Sequence, residues 1–151
     1  MRAVLQRCLN AQVKVNNKIV GKISKGFVVF LGIGKNDNER DLNYLVKKIC
    51  GLRIFEDQNE KMNLNPKAVG ADLLVISNFT LYANTVHGFR PDFLESMMPN
   101  RAEEYVNKFI DECKKQNVFN KICSGIFGAD MNVIVSNDGP VNIIFDTENV
   151  K

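Results

Sequence analysis

The chain has 151 residues, about one domain by length, with 45% hydrophobic and 25% charged residues. That composition belongs to an ordinary folded domain and excludes disordered, collagen-like and coiled-coil classes. Twenty basic against 17 acidic residues leave a net charge of +3, which mildly favours an anionic partner but does not by itself announce a nucleic-acid binder. In chain order, Ala3-Val4-Leu5-Gln6-Arg7-Cys8 and then Ala11-Gln12-Val13-Lys14-Val15 read as strands, and Asn16-Asn17-Lys18 reads as the turn of a hairpin. Residues 27–33 are continuously apolar between Gly26 and Gly34, the pattern of a central strand buried on both faces. Leu42, Leu45, Val46, Ile49 and Cys50 then follow helical spacing, with Asn36 and Glu39 as an expected capping box. Leu73-Leu74-Val75-Ile76 predicts a buried strand running into Ser77-Asn78-Phe79-Thr80-Leu81. A second helix carries the stripe Ala102, Tyr105, Val106, Phe109, Ile110 and Cys113, with Asn100 and Glu103 expected at its cap. Residues 131–135 and 141–145 are expected to pair as a hairpin across Ser136-Asn137-Asp138-Gly139-Pro140.

These elements predict a single α+β domain spanning residues 1–151, a sheet covered by two main helices. The longest apolar stretch falls far short of the ~20 residues of a membrane helix, so no membrane partner is expected. Cys8, Cys50, Cys113 and Cys123 are widely spaced, without a CxxC pair or a recognisable secretory leader ahead of them, which predicts free thiols and a cytoplasmic location. With His87 as the single histidine, a multi-histidine metal site is excluded, and neither a metal nor another cofactor is expected. Gly32-Ile33-Gly34-Lys35 fails the glycine spacing of a phosphate loop, and Asn36 stands where the magnesium-binding hydroxyl belongs.

Two segments concentrate polar groups where strands end. In Ser77-Asn78-Phe79-Thr80, two hydroxyls and an amide emerge from the core, and strand alternation would put Asn78 and Thr80 on one face and Ser77 and Phe79 on the other. In Asn137-Asp138-Gly139-Pro140, turn chemistry is the plain reading. A cis Gly-Pro bond there would aim two carbonyl oxygens outward as acceptors for an ammonium group.

The chain resembles the D-aminoacyl-tRNA deacylases, formerly called D-tyrosyl-tRNA deacylases. The likeness rests on Gln6-Arg7, Gly51-Leu52-Arg53-Ile54-Phe55, Lys61-Met62-Asn63-Leu64-Asn65, Ser77-Asn78-Phe79-Thr80-Leu81, Gly88-Phe89-Arg90-Pro91-Asp92-Phe93, Gly125-Ile126-Phe127-Gly128-Ala129-Asp130-Met131 and Asn137-Asp138-Gly139-Pro140-Val141. These landmarks span nearly the whole chain in the family's order. The resemblance implies a β-barrel-like fold and a homodimer with two active sites at the interface. It implies hydrolysis of the ester joining a D-amino acid, or glycine, to the terminal adenosine of tRNA. It also implies that a cis Gly139-Pro140 pair enters the partner's pocket, holds the substrate's amino group and blocks L side chains. Arg7 and Met131 match positions that lock this element, and Ser77, Asn78, Phe79 and Thr80 match the catalytic motif, with the Phe79 backbone near the scissile carbonyl. The preferred family view has the tRNA 2′-hydroxyl assist hydrolysis, rather than Thr80 acting as nucleophile.

This sequence departs from the family pattern at Asn78, usually glutamine, and at Asn142, usually threonine. Arg90 and Lys61, in turn-like segments, are expected to touch tRNA phosphates. The alternatives are a non-catalytic nucleic-acid-binding module on the same fold, and a small hydrolase of a free ester or peptide.

Overall fold

A computed structural model describes residues 1–150, the side chain of Val150 excepted, so the last residue of the expected 1–151 domain lies outside it. The two expected N-terminal strands are one long strand, β1 (Arg2–Val15). The turn after it puts Asn16 at φ 49° and Asn17 at φ 63°, the left-handed pair that a tight hairpin demands and that asparagine tolerates. The chain returns as β2 (Lys18–Ile23), antiparallel to the second half of β1, and continues as β3 (Gly26–Gly32), antiparallel to the first half. The last strand, β8 (Asn132–Asp146), runs antiparallel along almost the whole of β1 on its other edge.

The sheet extends from β3 through two parallel neighbours, β6 (Asp72–Ser77) and β7 (Ile122–Ser124). β7 comes back towards β2, where Lys121 Nζ donates to the Lys22 carbonyl at 2.8 Å, so the mixed sheet nearly closes into a barrel. A separate two-stranded ribbon, β4 (Phe55–Glu56) and β5 (Met62–Leu64), stands beside it. Three α-helices complete the described residues: α1 (Glu39–Cys50), the short α2 (Pro66–Val69) and α3 (Pro99–Lys115). The expected α+β architecture with two main helices is therefore present.

Apolar residues divide between two compartments. Phe27, Val29 and Leu31 of β3 pack towards Leu45, Ile49 and Phe109 of α1 and α3, while Val28 joins Val13, Ile23, Leu74 and Ile76 inside the barrel. Alternating side chains of one strand thus feed both compartments, which is why β3 reads as an unbroken apolar run. Cys8, Cys50 and Cys113 are buried free thiols and Cys123 is half-buried.

Four local expectations are corrected. Helix α1 is capped by Asn38, whose Oδ1 accepts from Arg40 N at 2.9 Å while Asp41 accepts from Asn38 N at 3.0 Å, rather than by Asn36 and Glu39. The cap moves along because Asp37 turns inward to the Met1 ammonium, the Gly34 N–H and the Tyr82 hydroxyl. Helix α3 starts at Pro99 after Met98, without a capping side chain, rather than at Asn100. Proline presets helical φ and forces an extended residue before it, which sets the boundary without a side-chain acceptor. Strand β6 stops at Ser77 and the next residues coil into a 3-10 turn, Phe79–Tyr82, so strand alternation does not apply to Asn78, Phe79 and Thr80. Residues 131–145 form no hairpin either: β8 runs straight through, because β1 offers it one continuous partner.

Candidate functional site

The end of β6 makes the first part of the site. Asn78 N donates to the Leu31 carbonyl at 2.8 Å, holding the chain against β3 as it leaves the sheet. The Asn78 side chain then folds over the turn, its Oδ1 accepting from Thr80 N at 3.2 Å and from the Thr80 hydroxyl. One methylene fewer than glutamine suits this short reach, the usual geometry of an asparagine at a turn or helix start. The hydroxyl of Thr80 is thereby committed as a donor. Leu81 N reaches the Asn78 carbonyl and Ala83 N the Thr80 carbonyl, whereas the Phe79 N–H has no partner among the described residues. Phe79 is 57% exposed, and its ring meets that of Phe93 edge to face with centroids 4.9 Å apart.

This corner opens on a cavity of about 730 Å³ lined by Ser77, Asn78, Phe79 and Thr80 together with Phe30, Ile76, Met97 and Met131. Asp130 is the only ionisable side chain among its described lining residues. The loop carrying His87 and Arg90 is exposed, closed at its base by reciprocal backbone bonds between Asn84 and Asp92 at 2.9 and 3.0 Å. It leads into Phe93, which lines the cavity, while Arg90 itself is exposed and is not among the described lining residues.

The second part is a bulge in β8. Asn137 pairs with Cys8 and Asn142 with Gln6, which leaves Arg7 alone opposite residues 138–141. The surplus is pushed outward, as bulges do. Asn137 Nδ2 donates to the Arg7 carbonyl at 3.2 Å and to Asn142 Oδ1 at 3.1 Å, so Asn142 helps close the base of the bulge. Arg7, only 3% exposed, donates from Nη1 to the Ile54 carbonyl at 2.6 Å and from Nε to the Asp138 carbonyl at 3.2 Å. The Asp138 and Glu56 carboxylates lie 3.1 and 3.6 Å from its guanidinium. Gly139 has φ +128°, its bond to Pro140 is cis, and both residues are exposed. A β-carbon added at Gly139 would lie 2.7 Å from Val141 Cγ2, so only glycine fits here.

The expected site residues therefore fall into two groups. Ser77, Asn78, Phe79, Thr80 and Met131 meet at the cavity. Arg7, Gly139 and Pro140 meet at the bulge, and Met131 does not share that group. Lys61 follows Arg7, because its turn joins β5 to β4, whose Glu56 contacts Arg7. In that turn Asp57 accepts from the N–H groups of Asn59 and Lys61 and from Asn63 Nδ2, which holds its carboxyl below the ordinary range. Arg7 pairs with Phe27 near the start of β3, whereas the cavity begins at Phe30 and reaches Ile33. At about 3.3 Å per residue the two groups are on the order of 10–20 Å apart.

Sequence reasoning missed Phe93, Ile54, Glu56, Asn137 and Asn142 as supports. Phe93 is the one with a signal, an aromatic directly after the Pro91-Asp92 turn; the others act through backbone atoms or through pairings that only the register creates.

Residues 4–146 match the family model described as D-Tyr-tRNA(Tyr) deacylase. A D-aminoacyl-tRNA deacylase of Clostridium botulinum (strain Loch Maree / Type A3) is 47% identical over 148 residues, 98% of each chain. One from Thermosipho africanus (strain TCF52B) is 47% identical over 150 residues, 99% of each. Among solved structures, a c-Myc DNA Unwinding Element Binding Protein superposes with TM-score 0.89 at 35% identity, covering 97% of this chain and 98% of its own. Another, described as a probable eukaryotic D-amino acid tRNA deacylase, shares the fold with TM-score 0.83 at 16% identity, covering 95% of this chain and 97% of its own. With a family model matched over most of its length and relatives this similar from end to end, the chain belongs to the D-aminoacyl-tRNA deacylase family.

Proposed function

We propose that the protein hydrolyses the ester of D-aminoacyl-tRNA, and of glycyl-tRNA mischarged on tRNA-Ala, as a cytoplasmic homodimer. Each active site combines the 77–80 corner of one copy with Gly139 and Pro140 of the other. The reading is supported most by the Phe79 N–H, which has no partner among the described residues and belongs to a residue lining the cavity, beside a Thr80 hydroxyl already committed to Asn78. A free backbone donor is what a developing oxyanion needs, and one such donor contributes roughly 3 kcal/mol to the transition state.

In this mechanism water attacks the ester carbonyl, and the negative charge gathers on the oxygen facing Phe79 N–H. The tetrahedral adduct then collapses, releasing the free amino acid and the ribose 3′-oxygen, with the neighbouring 2′-hydroxyl relaying the proton. Thr80 is not required as a nucleophile: its hydroxyl already donates to Asn78, and no histidine, lysine or cysteine lines the described cavity, Asp130 being its one ionisable side chain. The carbonyls of Gly139 and Pro140 accept from the substrate ammonium, and their fixed position excludes L side chains by clash. Arg7 and Met131 position the two halves, and Arg90 and Lys61 contact tRNA phosphates. A two-copy site is supported by the 10–20 Å gap between bulge and cavity along β3.

The likeness to a structure named for DNA binding favours one second reading, nucleic-acid retention without turnover. Ester loss from matched D- and L-aminoacyl-tRNA separates the two. Hydrolysis of the D form at least a hundredfold faster than the L form is expected; tRNA retained with its ester intact would select the second reading.

A further inference from the structure

Residues 1–36 contain no aspartate or glutamate, yet they include Lys14, Lys18 and Lys22. Ala11 and Val13 of β1 point into the barrel and are buried, so Gln12 and Lys14 point outward. Gln12 pairs with Lys22 on one side and Ile134 on the other, and Lys14 pairs with Ile19 and Asn132. Residues directly opposite in an antiparallel pair share a face, so Lys14 and Lys22 stand on one outer surface. Lys18 lies at its edge, paired with Val15, and Lys121, the residue before β7, reaches over to the Lys22 carbonyl.

The neighbouring elements do not neutralise this face. Residues 132–137 of β8 are all uncharged, and Lys121 is the only charged residue from 117 to 124. Asp72 is buried, accepting from Ser24 N at 2.9 Å and Asn120 Nδ2 at 3.2 Å, and Asp130 lies at the cavity. Met131 and Val133 line the cavity, so Asn132, opposite Lys14 and between them, points to the other side of the strand; face and cavity lie on the two sides of β8 and share its first residues as a rim.

We infer that this carboxylate-free sheet face carries the phosphate backbone of the tRNA acceptor stem whose 3′ end enters the cavity. The identity of the RNA rests on the deacylase reading. Point-charge lysines without an interleaved aromatic suit the backbone of a duplex, because a single strand calls for stacking platforms and base readout for planar, bidentate groups. The face thus fixes where the stem lies and leaves its sequence unread.

The test replaces Lys14, Lys22 and Lys121 together by glutamine and measures binding of uncharged tRNA across a salt series, beside the three single variants. Hydrolysis is compared on D-aminoacyl-tRNA and on D-aminoacyl-adenosine, which has no stem. The triple variant should bind tRNA at least tenfold more weakly near 0.1 M salt, with a log–log salt dependence shallower by about two to three, in line with roughly 0.9 for each phosphate no longer neutralised. Each single variant should weaken binding about two- to threefold. The kcat/KM should fall with tRNA and stay unchanged with D-aminoacyl-adenosine. Unaltered tRNA binding in singles and triple alike, or an equal fall on both substrates, would overturn the inference. If the wild type hydrolysed neither substrate, the deacylase reading would fail, and the lysine dependence of tRNA binding would still decide the role of the face.

Discussion

The 77–80 corner and the 138–141 bulge are both polar outcrops at the margins of the sheet, but they are held in opposite ways. The corner is mostly self-contained: Asn78 caps the turn that follows it, and the main outside anchor is one backbone bond to Leu31. The bulge depends on distant segments, with Arg7 drawing together Ile54, Glu56 and Asp138, and Asn137 bonding to Arg7 and Asn142. A locally built element loses only its own hydrogen bonds when altered, whereas a guanidinium serving several segments leaves each of them unsatisfied. The bulge should therefore be the fragile half of the site.

Arg7→Ala is the severest way to break the contrast. It strands the Ile54 and Asp138 carbonyls and the Asp138 carboxylate, and should cost about 3–5 kcal/mol in denaturant unfolding together with at least a hundredfold in kcat/KM. Arg7→Lys should rescue little of this, since an ammonium cannot fork to carbonyls lying in different directions. Gly139→Ala comes next, because its β-carbon collides with Val141 at a left-handed φ. A loss of about 1–3 kcal/mol and more than tenfold in activity is expected. At the corner, Asn78→Ala removes a turn cap and should cost about 1 kcal/mol, with activity falling several-fold as the Phe79 N–H loses its fixed direction. Thr80→Ala should retain appreciable deacylation, whereas an acyl group trapped on Thr80 would reverse the assignment of roles.

The smallest effect is a pH dependence. Burial pushes the Cys8 thiol, beside the bulge, up to about 11 from 9.0, and burial next to Asp37 pushes Tyr82 up from its ordinary value. The unfolded chain then loses these protons first, so stability holds below pH 9 and declines as pH rises towards 11. Cys8→Ala should flatten part of that decline in unfolding measured between pH 8 and 10.5.

The same contrast explains how much of the molecule is legible in its sequence. Continuous apolar runs reveal β3 and β6, and helical apolar spacing reveals α1 and the stripe of α3, because burial patterns each element alone. The motif residues at the corner are visible because they are contiguous. The straight course of β8 is hidden, since Asn-Asp-Gly-Pro carries turn chemistry and only the pairing to β1 converts a turn into a bulge. The cap of α1 is missed for a related reason: Asp37 answers to the Met1 ammonium, a contact that no local pattern encodes. Arg7 is legible as a motif residue, but its partners Ile54 and Glu56 are not, because one of them contributes a carbonyl that any residue would supply.

The central claim is that corner and bulge from different copies make one site, and complementation between two defective chains tests it most directly. Gly139→Ala carries a faulty bulge and Asn78→Ala a weakened corner; mixed dimers are purified through two different tags. A mixed dimer contains one site with both defects and one with neither, so D-aminoacyl-tRNA hydrolysis should recover to about half the wild-type rate, well above either parent. Activity no higher than the mean of the two parents, or full activity in a monomer, would contradict the account.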